Sequence, residues 1–106
     1  AAAAERRRVL NESISLAREA YAMAITSRDR VRVYEKEILP DAEMALASSL
    51  ASYPTGEMRL GEVIDMEKML LELEMRQREN IFEYLKARAS LALAIGDGRI
   101  LGVGDE

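Results

Sequence analysis

The sequence predicts an all-α chain folded as a long antiparallel α-helical hairpin with coiled-coil-like packing, and three observations carry that expectation. Ala, Leu, Glu, Arg and Met dominate the 106 residues and aromatic residues make up only 5%, a mixture that favours helices over strands. Apolar and small residues recur at three- and four-residue steps over two long stretches, the period of one face of a helix. Between the stretches lies a strong breaker cluster, Tyr53-Pro54-Thr55-Gly56-Glu57, so the two are expected to fold back on one another.

The opening alanines, 1–4, have neither the charged nor the apolar region of a secretory leader and are expected to be unstructured or artefactual. A first helix is expected over 5–52. Its inner stripe reads Leu10, Ile14, Ala17, Tyr21, Ala24, Val31, Ile38, Ala42 and Ala45, interrupted by Arg28 and Glu35, a heptad seam that is partly wet or shared. Leu39, Leu46, Leu50 and Tyr53 form a second stripe beside it, so two neighbours are expected. Pro40 removes a backbone donor inside this helix and is expected to kink it without ending it. The turn, 53–59, combines a proline pre-set for turning with Gly56, which tolerates positive φ.

A second helix is expected over 60–95, through Leu60, Val63, Ile64, Leu70, Leu71, Leu73, Ile81, Leu85, Ala89, Ala92 and Ile95. Glu62, Asp65 and Glu67 lie near its start and Lys86 and Arg88 toward its end, as the helix dipole favours. Gly96-Asp97-Gly98 is expected to stop it and leave 97–106 as a flexible tail. A two-helix hairpin buries one face of each helix, so association with further helices or a larger parent is expected.

The chemistry these residues can support is narrow. The formal net charge is −4, which disfavours a grip on nucleic acid. The chain has no Cys and no His, which removes thiolate chemistry and the commonest general base and metal ligand. No apolar run reaches the roughly 18 to 20 residues that span a bilayer. Glu62 and Asp65 share a helix face at i, i+3, but no cleft or base accompanies them, and helix-start acids explain them equally well. Met66 and Met69 also share a face, where methionine is ordinarily a filler of apolar surface. The expectation is a protein that is not an enzyme and has no cofactor, metal site or catalytic residue.

Several short patterns along the hairpin resemble one family. Ile38-Leu39-Pro40-x-Ala42-Glu43-x-x-Leu46, Tyr53-x-x-Gly56, Glu62-Val63-Ile64-Asp65, Leu70-Leu71-x-x-Glu74, Tyr84-x-x-Ala87 and Leu93-Ala94-Ile95-Gly96 occur in this order. Over about residues 30–96 their order and spacing resemble the TolC-like outer-membrane efflux proteins, in the periplasmic helical hairpin of the second repeat. The resemblance implies a fragment of an α-barrel, part of a trimeric duct in the outer membrane whose periplasmic portion this chain would supply. It implies multidrug export or type I secretion of small molecules or metal ions, with a periplasmic adaptor protein as direct partner and an inner-membrane pump as indirect one.

On that resemblance, Tyr53, Thr55, Gly56, Arg59 and Leu60 form the tip that turns the chain and meets the adaptor. Glu62 and Asp65 match an acidic ring at the entrance, and Pro40 is the helix kink. Met66 stands where the family usually has Ala, and Met58 where some members carry a basic residue, so a closing ion pair would shift to Arg59. The competing expectations are a generic self-associating coiled coil and an adaptor-type hairpin, although the Arg, Leu, Ser pattern of adaptor tips is not reproduced around Leu60. The missing barrel strands and first repeat suggest an excerpt of a longer protein.

Overall fold

The computed structural model describes residues 2–100, with side-chain surroundings for 2–96. It is helical almost throughout: α1 spans Ala2–Val33, a π-helical turn occupies Tyr34–Ile38, α2 spans Leu39–Ser52 and α3 spans Leu60–Ile100, with no strand among the described residues. Two helical arms, 2–52 and 60–100, are thus joined by a connection of residues 53–59. This is an all-α hairpin.

Both ends of the helices run further than the sequence reading expects. Ala2 to Ala4 already belong to α1, since alanine has the highest intrinsic helix propensity and Glu5 sits in the first turn, where the dipole favours an acid. At the other end α3 continues through Gly96, Asp97 and Gly98 to Ile100. Gly96 does not take the positive φ that would turn the chain out of the helix, so it lowers propensity by about 1 kcal/mol without terminating anything. Ala1 and the 101–106 part of the expected tail lie outside the described residues.

The chain divides into two compact units, Asp29–Ile81 and the segments on either side of it. In Asp29–Ile81 the first arm shields Val31, Tyr34, Ile38, Ala42, Ala45, Ser49 and Ser52, and the second shields Val63, Met66, Leu70, Leu73, Gln77 and Asn80. Small residues predominate on the first arm's seam toward the tip and larger ones on the second, a division that lets two helix axes approach closely. Ser49 is 1% exposed, and its hydroxyl donates to the Ala45 carbonyl at 2.9 Å, which satisfies it without a partner on the other arm. Across the arms the Gln77 side-chain amide donates to the Val31 carbonyl at 3.0 Å, and Asn80 Nδ2 donates to Gln77 Oε1 at 3.3 Å.

The second arm keeps an unbroken alternation of three- and four-residue steps through 63, 66, 70, 73, 77 and 80. The first arm does not: from Tyr34 it steps four to Ile38 and four again to Ala42. Two α-turns hold about 7.2 residues, whereas this stretch takes eight. A turn closed by i→i+5 bonds holds most of the extra residue, and the π turn at Tyr34–Ile38, with the Leu39 N–H bonded to the Tyr34 carbonyl, lies at this place. Pro40 follows directly. Lacking an N–H, it could not donate to Lys36 in an α-helix, so the expected kink is resolved as a local change of helix type and the helix passes through without a break.

In the other unit the shielded positions are Ser13, Ala17, Ala20, Ala24 and Ser27 on α1, with Tyr84, Ala87, Leu91 and Ala94 on α3. Ala24 and Ala87 are the buried apolar residues among those described in this unit. Arg88 stacks over the Tyr84 ring and Lys86 over Phe82, each 5.7 Å from the centroid, and Lys86 also pairs with Glu83 at 3.6 Å. These contacts are exposed and contribute little.

The seam therefore departs from the expected inner stripes. Ala17, Ala24, Val31, Ile38, Ala42 and Ala45 are shielded, but Leu10, Ile14 and Tyr21 are exposed, as are Ile64, Leu71, Ile81, Leu85 and Ile95. Ile14, Tyr21 and those five α3 residues each follow a shielded residue by one position, which is about 100° round the helix. Toward the tip and in the outer unit the first arm's seam is made of Ala and Ser, while Val31, Tyr34 and Ile38 are its large shielded members.

Candidate functional site

The tip is built by local rules. α2 ends at Ser52, and the Tyr53 N–H still donates to the Ser49 carbonyl at 3.1 Å. The Gly56 N–H then donates to the Tyr53 carbonyl at 3.1 Å, closing Tyr53-Pro54-Thr55-Gly56 as a β-turn with proline and glycine at favoured positions. Gly56 has φ +80°, and no other residue in the described chain has positive φ. Thr55 Oγ1 donates to the Ser52 carbonyl at 2.8 Å, satisfying one acceptor that the end of α2 leaves open. On the far side the Arg59 carbonyl accepts from the Glu62 and Val63 N–H groups at 3.0 and 3.2 Å, which starts α3 directly at Leu60.

The structure brings the sequence-predicted tip residues to one exposed end of the Asp29–Ile81 unit. Tyr53 is 44% and Leu60 52% exposed, and Thr55, Gly56 and Arg59 are exposed as well. Val63 beside them is buried and anchors the start of α3. Arg59 makes no ion pair among the described residues of this chain, so any closing pair would need a carboxylate from elsewhere. Pro40 lies half-buried at the start of α2, away from the turn in sequence.

Glu62 and Asp65 are both exposed. Each precedes a shielded residue, Val63 and Met66, by one position, whereas Ile64 and Leu71 follow Val63 and Leu70 by one. Glu62 and Asp65 therefore lie on the flank of α3 opposite Ile64 and Leu71, the former shared with Met69 and the latter with Glu67 and Glu74. On α2 the order repeats: Leu46 and Leu50 follow Ala45 and Ser49, and Asp41 precedes Ala42. In an antiparallel pair, flanks of the same rotational sense fall on the same side. Near the tip the hairpin thus has one side with Leu46, Leu50, Tyr53, Ile64 and Leu71 beside Glu43, Glu67 and Glu74, and another side with Asp41, Glu62 and Asp65 beside Met44 and Met69.

Among the described residues no group of three or more acids converges as a metal-binding set, and no described helix is long and apolar enough to cross a membrane. Among the described residues four apolar ones are buried, while twenty large apolar side chains are exposed, so the outer surface is the larger apolar feature. Sequence reasoning missed Gln77, which reads as a surface residue in isolation. Its place seven residues after Leu70, in the same seam, is the signal that could have marked it. In comparisons with protein-family models, curated proteins and solved structures, nothing matches this chain.

Proposed function

We propose that this hairpin is a periplasmic segment of a TolC-like outer-membrane efflux duct, its tip forming the entrance that meets a periplasmic adaptor protein. The observation that carries the proposal is the two-sided tip: bulky apolar residues on one flank and Glu62 and Asp65 on the other. The apolar flank suits lateral packing against further helices of a trimeric α-barrel. The acidic flank would then turn toward the axis, where two carboxylates from each copy attract cations and resist close approach without a counter-charge. The resemblance of the tip sequence supplies the identity of the assembly, and the exposure of Tyr53, Thr55, Gly56, Arg59 and Leu60 leaves that end free to dock. Transport would be driven by an inner-membrane pump, with no catalysis in this chain.

Bulky exposed flanks also suit a second reading, a generic self-associating coiled coil, and the tip separates the two. Cysteine placed at Thr55, in a chain that has none of its own, is cross-linked in the presence of an isolated adaptor hairpin. The duct reading expects adduct formation at Thr55 and Arg59 but not at Arg18, far along α1, and loss of the adduct in Glu62→Gln/Asp65→Asn or Gly56→Val. Cross-linking indifferent to position, or only between copies of this chain, would leave the generic module.

A further inference from the structure

We propose that Gln77 is the register key of the hairpin, a residue whose role is to select one pairing of the two arms. Gln77 is 9% exposed and lies in the middle of the uninterrupted seam of α3. It donates to the Val31 carbonyl and accepts from Asn80, so its amide is used at both ends. Much of the rest of the seam discriminates poorly. Apart from Val31, Tyr34 and Ile38, the first arm's seam is Ala and Ser, which accept a neighbour shifted by one heptad almost as well as the native one. The seven-residue connection 53–59 is long enough to redistribute such a shift.

A slip of one heptad would set Gln77 beside Ala24 or Ile38 and away from Val31. Val31 lies just ahead of the π turn, where the carbonyl pattern of the first arm changes. The eight-residue double step that the π turn accommodates occurs once in the first arm and has no counterpart in the second, so its position also marks the native pairing. A buried amide that loses its partner shifts the population against that pairing by roughly tenfold to hundredfold. A single buried polar residue specifying register at some expense of stability is an established device in coiled coils. The proposal does not depend on the duct reading.

The test uses the full chain with spin labels on Arg32→Cys and Arg78→Cys, exposed neighbours of the bonded pair, diluted into unlabelled chain so that only distances within one molecule are read. The Gln77 chain should give one narrow distance. Gln77→Leu, of similar volume, should stay fully helical with an unchanged or higher melting temperature and show a second population, displaced by up to about 10 Å for a seven-residue slip. A single unchanged distance in Gln77→Leu would overturn the proposal. Loss of helix in that variant would overturn it too, because the bond would then hold the fold together instead of selecting among pairings. Asn80→Ala, which removes only the secondary bond, should keep the native distance dominant.

Discussion

Gly56 allows a substitution series whose order follows from its environment. Its φ of +80° lies in the region that L side chains rarely adopt, yet a Cβ built there meets nothing within 4 Å. Steric crowding is therefore absent and the backbone alone sets the cost. An L-residue forced into this region costs about 1–2 kcal/mol, and Asn less than other residues. Replacing Gly also restricts the unfolded chain, which returns about 0.4–1 kcal/mol. Gly56→Ala should then destabilise by about 1 kcal/mol net, and Gly56→Asn by a few tenths despite its larger side chain. For a chain of this length 1 kcal/mol corresponds to about 4–5 °C in melting temperature. Circular dichroism melts at one fixed chain concentration would measure the series, since association would otherwise shift the midpoints. The reasoning fails if Gly56→Asn costs as much as Gly56→Ala, because volume and not φ would then be limiting, or if Gly56→Ala is neutral.

Two further outcomes test the seam and the flank. Ser49 is almost wholly enclosed and bonds only within its own helix, so Ser49→Ala should stay within about 1 kcal/mol of the parent, while Ser49→Leu should lose about 1–3 kcal/mol or more by overpacking; urea unfolding of the two variants decides this. Leu50 and Leu71 are 53% and 54% exposed, so Leu50→Lys and Leu71→Lys should leave the helical signal of the dilute chain intact yet weaken self-association at least tenfold in sedimentation equilibrium. Unaltered association would place the contact on another flank.

The helices and the turn were legible in the sequence because they depend on local rules. Alanine-rich, charge-dotted stretches make helix, and Pro54 with Gly56 makes a turn whatever surrounds it. The phase of the seam was legible only in part. Large apolar residues dominate any periodicity count, and Ile14, Tyr21, Ile64 and Leu71 therefore looked like the inner stripe. The seam does run through the expected Ala17, Ala24, Val31, Ile38, Ala42, Ala45, Val63, Leu70 and Leu73, but at the misplaced positions it lies one residue earlier, where Ser13 and Ala20 give almost no hydrophobic signal. Gln77 and Asn80 were hidden for the same reason, their polarity suggesting solvent. Pro40 announced a disturbance but not its form; only the double four-residue step between Tyr34 and Ala42 shows why a π turn answers it. At the tip the predicted residues do come to one exposed end, and the opposition of Glu62 and Asp65 to Ile64 followed from their spacing once Val63 was known to face inward.

A hairpin closed by small residues is a particular solution to a packing problem. Each alanine methyl removed from water is worth about 0.8 kcal/mol, against about 1.5–3 kcal/mol for a fully buried Leu, Ile or Phe. The seam of this chain draws heavily on the first kind, and most of the second kind remains outside, on Leu50, Leu71, Phe82, Leu85 and Leu93 among others. The pairing of the arms therefore leaves apolar surface on these side chains that association through the flank would bury. The two steps place different demands on the sequence. The inner seam must approach closely and choose one register, which small residues permit and Gln77 specifies. The outer flank need only be broad, apolar and correctly presented, and its presentation is inherited from the inner register. A slip at Gln77 would displace the Leu50 and Tyr53 flank relative to Ile64 and Leu71 by turns of helix, so on the proposed role of that flank an error inside the hairpin would appear first as a failure to assemble.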